Sequence, residues 1–299
     1  MNIDTKFLEV ECQLLKQEIL DERIYNHLCK SKTAHAFFFH ERLLNRNINK
    51  DNLKCILDKW YLQRNNAKED FYGIRNIHEN IDRITEIIYY LKKEAEQLNK
   101  KITERLAKYT DSKVHKNITV HLYGLGYDGG FALVGNNIYI NMALLIKFDN
   151  ELEDIIAHEI YHIRKKRYKG LLRRYFFNIQ SYNKNNYKEK MYYEIAEEGI
   201  ATLIEFNELK ESSHMLSSEK IENAEKYLSE FEELIKSIHN EKVSLKELIV
   251  FYQNNNLSYV IGYHVAKKIF NVYGKNGLDV WSIHNNLEDY LNLYKSTCS

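Results

Sequence analysis

The chain has 299 residues, 44% hydrophobic and 28% charged, a composition that supports a packed core and excludes a disordered tail. Lysine and arginine number 43 against 42 acidic residues, a formal charge of +1, so no overall field favours nucleic acid and no nucleic-acid partner is expected. Cys12, Cys29, Cys55 and Cys298 form no CxxC pair, the start of the chain carries acidic residues, and no apolar run is long enough to span a membrane. These features together predict a cytoplasmic protein with reduced thiols.

With no proline in the chain, long helices meet no imposed break. Residues 7–30 place Leu8, Leu14, Leu15, Ile19, Ile24 and Leu28 at helical spacing. Further helices are predicted over 34–46 and from Leu53 toward Ala67. Over 74–108, Ile74, Ile77, Ile81, Ile84, Ile88 and Leu91 make an apolar stripe, long enough to require a bend or a hairpin partner. Residues 1–110 are therefore expected to form an N-terminal helical region.

The pattern then changes. Residues 117–123 alternate as a strand, and a cluster of Gly124, Gly126, Gly129, Gly130 and Gly135 follows. Asn136 and Asn137 then lead into a second strand at Ile138, Tyr139 and Ile140. The glycine cluster lacks the Gly-Lys-Ser/Thr ending of a phosphate loop, so a hairpin roofing an active site is expected here. Helices resume over 150–166, 188–210, 217–238, 244–253, 257–273 and 283–294. A small strand region between helical blocks predicts an α+β fold.

Chemistry concentrates in the segment Ile-Ile-Ala-His-Glu-Ile-Tyr-His. His158 and His162 are four apart, so on a helix they share one face and can share one ion, for which neutral imidazoles suit Zn2+. Glu159 beside them can take a proton from attacking water and hand it to the leaving amine. Leu152, Ile156, Ile160 and Ile163 give the same helix a side to bury. A second predicted helix sets Glu194, Glu197 and Glu198 among Met191, Ile195, Ile200, Leu203 and Ile204. Burying clustered carboxylates requires a cation or hydrogen-bond donors, and a zinc ion lacking its third ligand is such a cation. Gly199 inside that helix costs about 1 kcal/mol in propensity, a cost offset where another segment approaches closely.

His158–His162 together with Glu198-Gly199-Ile200-Ala201 resembles the gluzincin group of zinc peptidases. The resemblance implies Glu198 as the third metal ligand, and a mostly helical zincin-like fold with a small β-hairpin or short sheet before the zinc helix. The outer strand of that hairpin would pair with an extended peptide. Residues 111–299 would then be the catalytic domain with its C-terminal helices. The Tyr259–Gly262 segment resembles the Tyr-x-x-Gly of several gluzincins, which implies Tyr259 as the hydroxyl that stabilises the oxyanion, with Tyr263 and His264 as alternatives. The Gly-x-Met-Glu-Asn segment of the large zinc aminopeptidases is missing, and Thr202 stands where the thermolysin type has an aspartate. Asp154 and Glu194, each one turn before a ligand position, are candidate supports for the metal ligands.

Seven basic residues follow the motif between Arg164 and Arg174, either as a solvated helix end or as a docking surface for an acidic partner. The activity expected is that of a zinc-dependent endopeptidase or oligopeptidase acting on peptides or flexible protein segments. A catalytically inactive binding or regulatory protein, and a metal-dependent hydrolase of another substrate, are the competing readings.

Overall fold

The computed structural model describes residues 1–64, 71–113, 117–132, 136–164, 182–207, 216–240 and 242–298. The fold is mostly helical α+β with one small open sheet. The chain packs as two compact units, one formed by Met1–Lys101 and His115–Ile163, the other by Ile102–Val114 and Arg164–Ser299. No described helix is long and apolar enough to cross a membrane.

In the first unit, a short strand β1 (Asn2–Asp4) precedes helices α1 (Lys6–Leu15), α2 (Glu22–Cys29), α3 (Lys32–Leu43) and α4 (Lys50–Gln63). The single helix expected over 7–30 is thus two. Asp21 is the reason: its carboxylate accepts from the backbone N–H of Arg23 at 2.8 Å and of Ile24 at 3.1 Å, capping a new helix. The apolar stripe beginning at Ile74 is also divided, into α5 (Ile74–Glu79) and α6 (Ile81–Tyr109), with the break at Asn80.

The sheet comprises β1, β2 (Thr119–Tyr123), β3 (Gly130–Ala132) and β4 (Asn137–Asn141) in the order β1-β2-β4-β3. The sequence suggests a hairpin joining 117–123 to 138–140, yet those two strands run parallel, with Thr119 opposite Asn137 and Tyr123 opposite Asn141. The chain leaves β2, crosses to the far side of the sheet, descends as β3, and returns as β4 between the two. Among the described strands only β3 and β4 are antiparallel, pairing Phe131 with Tyr139. Asn141 anchors this crossing. Its buried side-chain amide donates to the carbonyls of Leu125, Gly126 and Asp128 at 2.9, 3.2 and 3.0 Å. Its side-chain oxygen accepts from Ala143 N and so caps α7 (Met142–Leu145). β1 adds a further parallel strand, secured by His121, which bonds Asp4 at 3.0 Å and Asn137 at 3.0 Å. A 3-10 turn (Ile146–Glu151) then leads into α8 (Leu152–His162).

The second unit is built on the pairing of α9 (Tyr187–Phe206) with a long helix described below as α13, surrounded by α10 (Ser218–Glu222), α11 (Ala224–His239) and α12 (Leu245–Asn254). Along α13 (Leu257–Ser282) the helical backbone is interrupted at Gly274, whose φ of 60° and ψ of −155° are not helical, so the first segment ends at the predicted 273 and a second helical segment follows the kink. Beyond the kink, Asp279 accepts from the Thr110 hydroxyl at 2.5 Å and from the Asp111 backbone at 3.0 Å. The last helix, α14 (Leu287–Ser296), packs on α13 and places Tyr290 in the core.

One buried group of the first unit makes its stability depend on pH. Glu11 on α1 is 2% exposed, and neither carboxylate oxygen has a well-aligned hydrogen-bond partner. Burial pushes its pKa from 4.5 up to about 8, against the opposing influence of the nearby Gly124 N–H. Because the folded state holds a proton that the unfolded chain releases in that window, stability falls as pH rises from about 4.5 to about 8. Glu11→Gln keeps the neutral form and is expected to flatten this decline in urea-midpoint measurements across the window. An unchanged slope would place the pH dependence elsewhere.

Candidate metal centre

Helix α8 buries Leu152, Ile155, Ile156 and Ile160 and packs against β3 and β4. The 3.6-residue period then directs His158 and His162 along a common stripe. Both are nearly buried, and their rings lie 4.9 Å apart at 69°. Glu159 is half-buried beside the edge strand: a side-chain carbon at Gly130 would lie 3.3 Å from its carboxylate and 2.9 Å from the Tyr139 carbonyl. Glu159 makes no hydrogen bond or ion pair among the described residues, so its lone pairs are uncommitted. Asp154, one turn before His158, is buried on the same helix.

The three carboxylates of α9 have separate environments. Glu197 is 2% exposed and fully engaged: Arg164 grips both its oxygens at 2.9 Å, and the Trp281 indole donates to it at 3.0 Å. Arg164 also donates from Nε to the Ser282 carbonyl at 3.1 Å. Such a bidentate, desolvated pair leaves Glu197 no role as a metal ligand. Glu194 accepts from the Tyr182 hydroxyl at 2.5 Å and lies 3.1 Å from the Lys190 ammonium. Burial raises its pKa, and the neighbouring charge of Glu198 adds to the rise against Lys190 and Tyr182. It is thus not an ordinary surface charge. Glu198 is half-buried, one residue beyond the Arg164 clamp and one before the helix contact at Gly199.

That contact explains the glycine inside α9. A side-chain carbon at Gly199 would lie 2.2 Å from the carbonyl oxygen of Gly262, and one at Gly262 would lie 2.5 Å from the carbonyl of Ile195. The backbones of α9 and α13 touch here, and neither position admits a larger residue. Tyr259, three residues before Gly262, shares the face of α13 that meets α9. Tyr263 is buried against the Phe206 ring at 4.8 Å, with the Lys267 ammonium 5.2 Å from its centroid. Thr202, in the position of the thermolysin-type aspartate, donates its hydroxyl to the Glu198 carbonyl at 2.7 Å and so serves its own helix.

Among the described residues, two groups of side chains have the donors to hold a metal. In the first, one ligand atom from each of His158, His162 and Glu198 lies within 4.8 Å of the others. Two imidazoles and a carboxylate form a donor set that fits a catalytic zinc ion, which keeps its fourth position open. The second group is His40, Glu41 and Asp128. Arg46 already supplies its positive charge, meeting Asp128 at 2.6 and 3.1 Å and Glu41 at 3.2 Å, while Tyr72 donates to Glu41. Burial would raise the Asp128 pKa, but His40 and Arg46 outweigh it and hold the acid at about 2. This second group is a closed ion network.

The sequence profile of the family described as "Putative zinc dependent peptidase (DUF5700)" matches residues 25–299. The chain belongs to this family. Membership in DUF5700 extends through most of the N-terminal helices, which the motif resemblance did not reach. No curated protein and no solved structure was found to match the chain.

One expectation is corrected. Arg164 is no solvated helix end or docking cation, since it is 1% exposed and spent on Glu197. The rest of the basic run, 165–174, lies outside the described residues, as does Gly135. The Arg164–Glu197–Trp281 network was not legible beforehand, because its members are far apart in sequence. Glu197→Ala leaves a buried guanidinium unpaired and is expected to cost about 3–5 kcal/mol in denaturant unfolding of the metal-free protein. A loss below about 1 kcal/mol would show the pair to be energetically idle.

Proposed function

We propose that the chain is a gluzincin-type, zinc-dependent endopeptidase or oligopeptidase with a zincin-like fold. The observation that carries this reading is the grouping of His158, His162 and Glu198 within 4.8 Å, in a chain of the DUF5700 family. In this reading those three residues hold Zn2+, and Glu197 and Glu194 do not. Bound zinc would supply Lewis acidity, polarising a carbonyl and easing deprotonation of water.

The chain's own residues do the rest. Glu159, half-buried and uncommitted, takes the proton of the attacking water and passes it to the leaving amine as the C–N bond breaks. Its nearness to Gly130 supports an extended peptide lying along β3, the edge strand of the sheet, by main-chain hydrogen bonding. Tyr259 donates its hydroxyl to the oxygen that gains charge in the transition state, a role favoured over Tyr263 because the Tyr263 ring is packed against Phe206. Glu194, flanked by Tyr182 and Lys190, fixes the electrostatic setting of Glu198 one turn away.

Glu159→Gln should abolish peptide hydrolysis, by about 10²-fold or more, while leaving about one zinc per chain by elemental analysis. Normal turnover in that variant would remove Glu159 from the mechanism. Glu198→Ala should lower zinc content at equal protein stability, whereas full zinc retention would refute the ligand set. Tyr259→Phe should reduce kcat by about 10- to 100-fold with little change in KM, and Tyr263→Phe should not. A peptide-library digestion reads bond type and specificity directly.

A further inference from the structure

A cavity of about 440 Å³ opens in the second unit, bordered by α9, α11, α13 and α14. Its wall is apolar, formed by Ile195, Leu228, Ile235, Ile261, Val265 and Leu291. Tyr192 and Tyr294 add two aromatic rings with hydroxyl tips. The volume falls within the roughly 300–1,000 Å³ of small-molecule sites. On α9 the lining residues Lys188, Tyr192 and Ile195 follow one helical stripe, about a quarter-turn away from the stripe of Glu194 and Glu198. The cavity is therefore separate from the candidate metal centre.

Its border is strongly one-sided in charge. Lys188, Lys236 and Lys295 line it from three different helices, all exposed, and none makes an ion pair among the described residues. Against them stands one carboxylate, Glu232. Lysine stems can extend the apolar wall while their ammonium groups stay in water. Burial, with Glu232 nearby, pushes the Tyr192 hydroxyl up to about 12, so it keeps its proton and can donate a hydrogen bond.

We propose that this cavity binds a long-chain carboxylate, a free fatty acid, with its acyl chain among the aliphatic side chains of α9, α11, α13 and α14 and its head group at Lys188, Lys236 and Lys295. An apolar slot bordered by three uncommitted cations and a hydroxyl donor matches that one chemistry at both ends. A neutral apolar occupant would leave the lysines unused, and a small anion would leave the aliphatic wall bare.

The test is titration of the full-length protein with a fluorescent fatty acid, followed by displacement with oleate and with oleyl alcohol. Oleate should displace the probe at micromolar concentration, and the alcohol at least about tenfold less well. The triple variant Lys188→Glu, Lys236→Glu, Lys295→Glu lies on the exposed surface and should weaken oleate about tenfold or more at low salt, with an unchanged circular dichroism spectrum. Leu228→Trp, which narrows the slot, should reduce oleate and alcohol binding together. Equal displacement by alcohol and oleate, or undiminished oleate binding by the triple variant, would overturn the proposal. So would concentration-dependent dimerisation that both variants abolish, since the face would then belong to a second copy of the chain.

Discussion

At Gly199 and Gly262 two helices meet backbone to backbone, with no space for a side-chain carbon on either side. Helices at ordinary separation are held about 8–10 Å apart by the side chains between them. Contact at this depth fixes the rotation of α9 about its own axis, since any other rotation would drive a side chain into α13. Every residue adjoining Gly199 inherits that constraint. Glu197 is turned to Arg164 and Trp281, and Glu198, the next residue, is turned about 100° away from it.

The acidic residues of α9 show how one helix gives similar groups different work. Glu197 is satisfied by three donors from two residues and is in effect part of the core. Glu194 sits between a tyrosine hydroxyl and an ammonium, with its charge disfavoured by burial. Glu198 directly follows Glu197 along the chain and groups with two imidazoles. The assignment of roles follows from the donors facing each carboxylate. The same logic marks the His40–Glu41–Asp128 network as closed, since an arginine is already built into it.

Local periodicity made much of this legible. The helix of His158 and His162 could be read from Leu152, Ile156 and Ile160, and Gly199 announced a close approach because nothing else justifies glycine there. What sequence could not supply was long-range pairing. Residues 119–123 and 137–141 are plainly strands, yet whether they run parallel depends on where the intervening β3 lies, and that is settled by Asn141 reaching back to three carbonyls. The three-residue β1 has too few residues to show alternation. Arg164 looked like the first member of a basic run, because a run of charges gives no sign of which member turns inward. The break at Asp21 was visible in principle, since Asp followed by a helical run is an N-cap pattern.

The parallel pairing of β1 with β2 carries a consequence for biosynthesis. Ile3 has no strand partner until Val120 has been made, so all of the helices α1 to α6 are translated first. The strand Asn2–Asp4 must wait in an unpaired state through that interval. Closing so large a loop is entropically slow, and the first unit thus completes its sheet late in vectorial folding, after its helices.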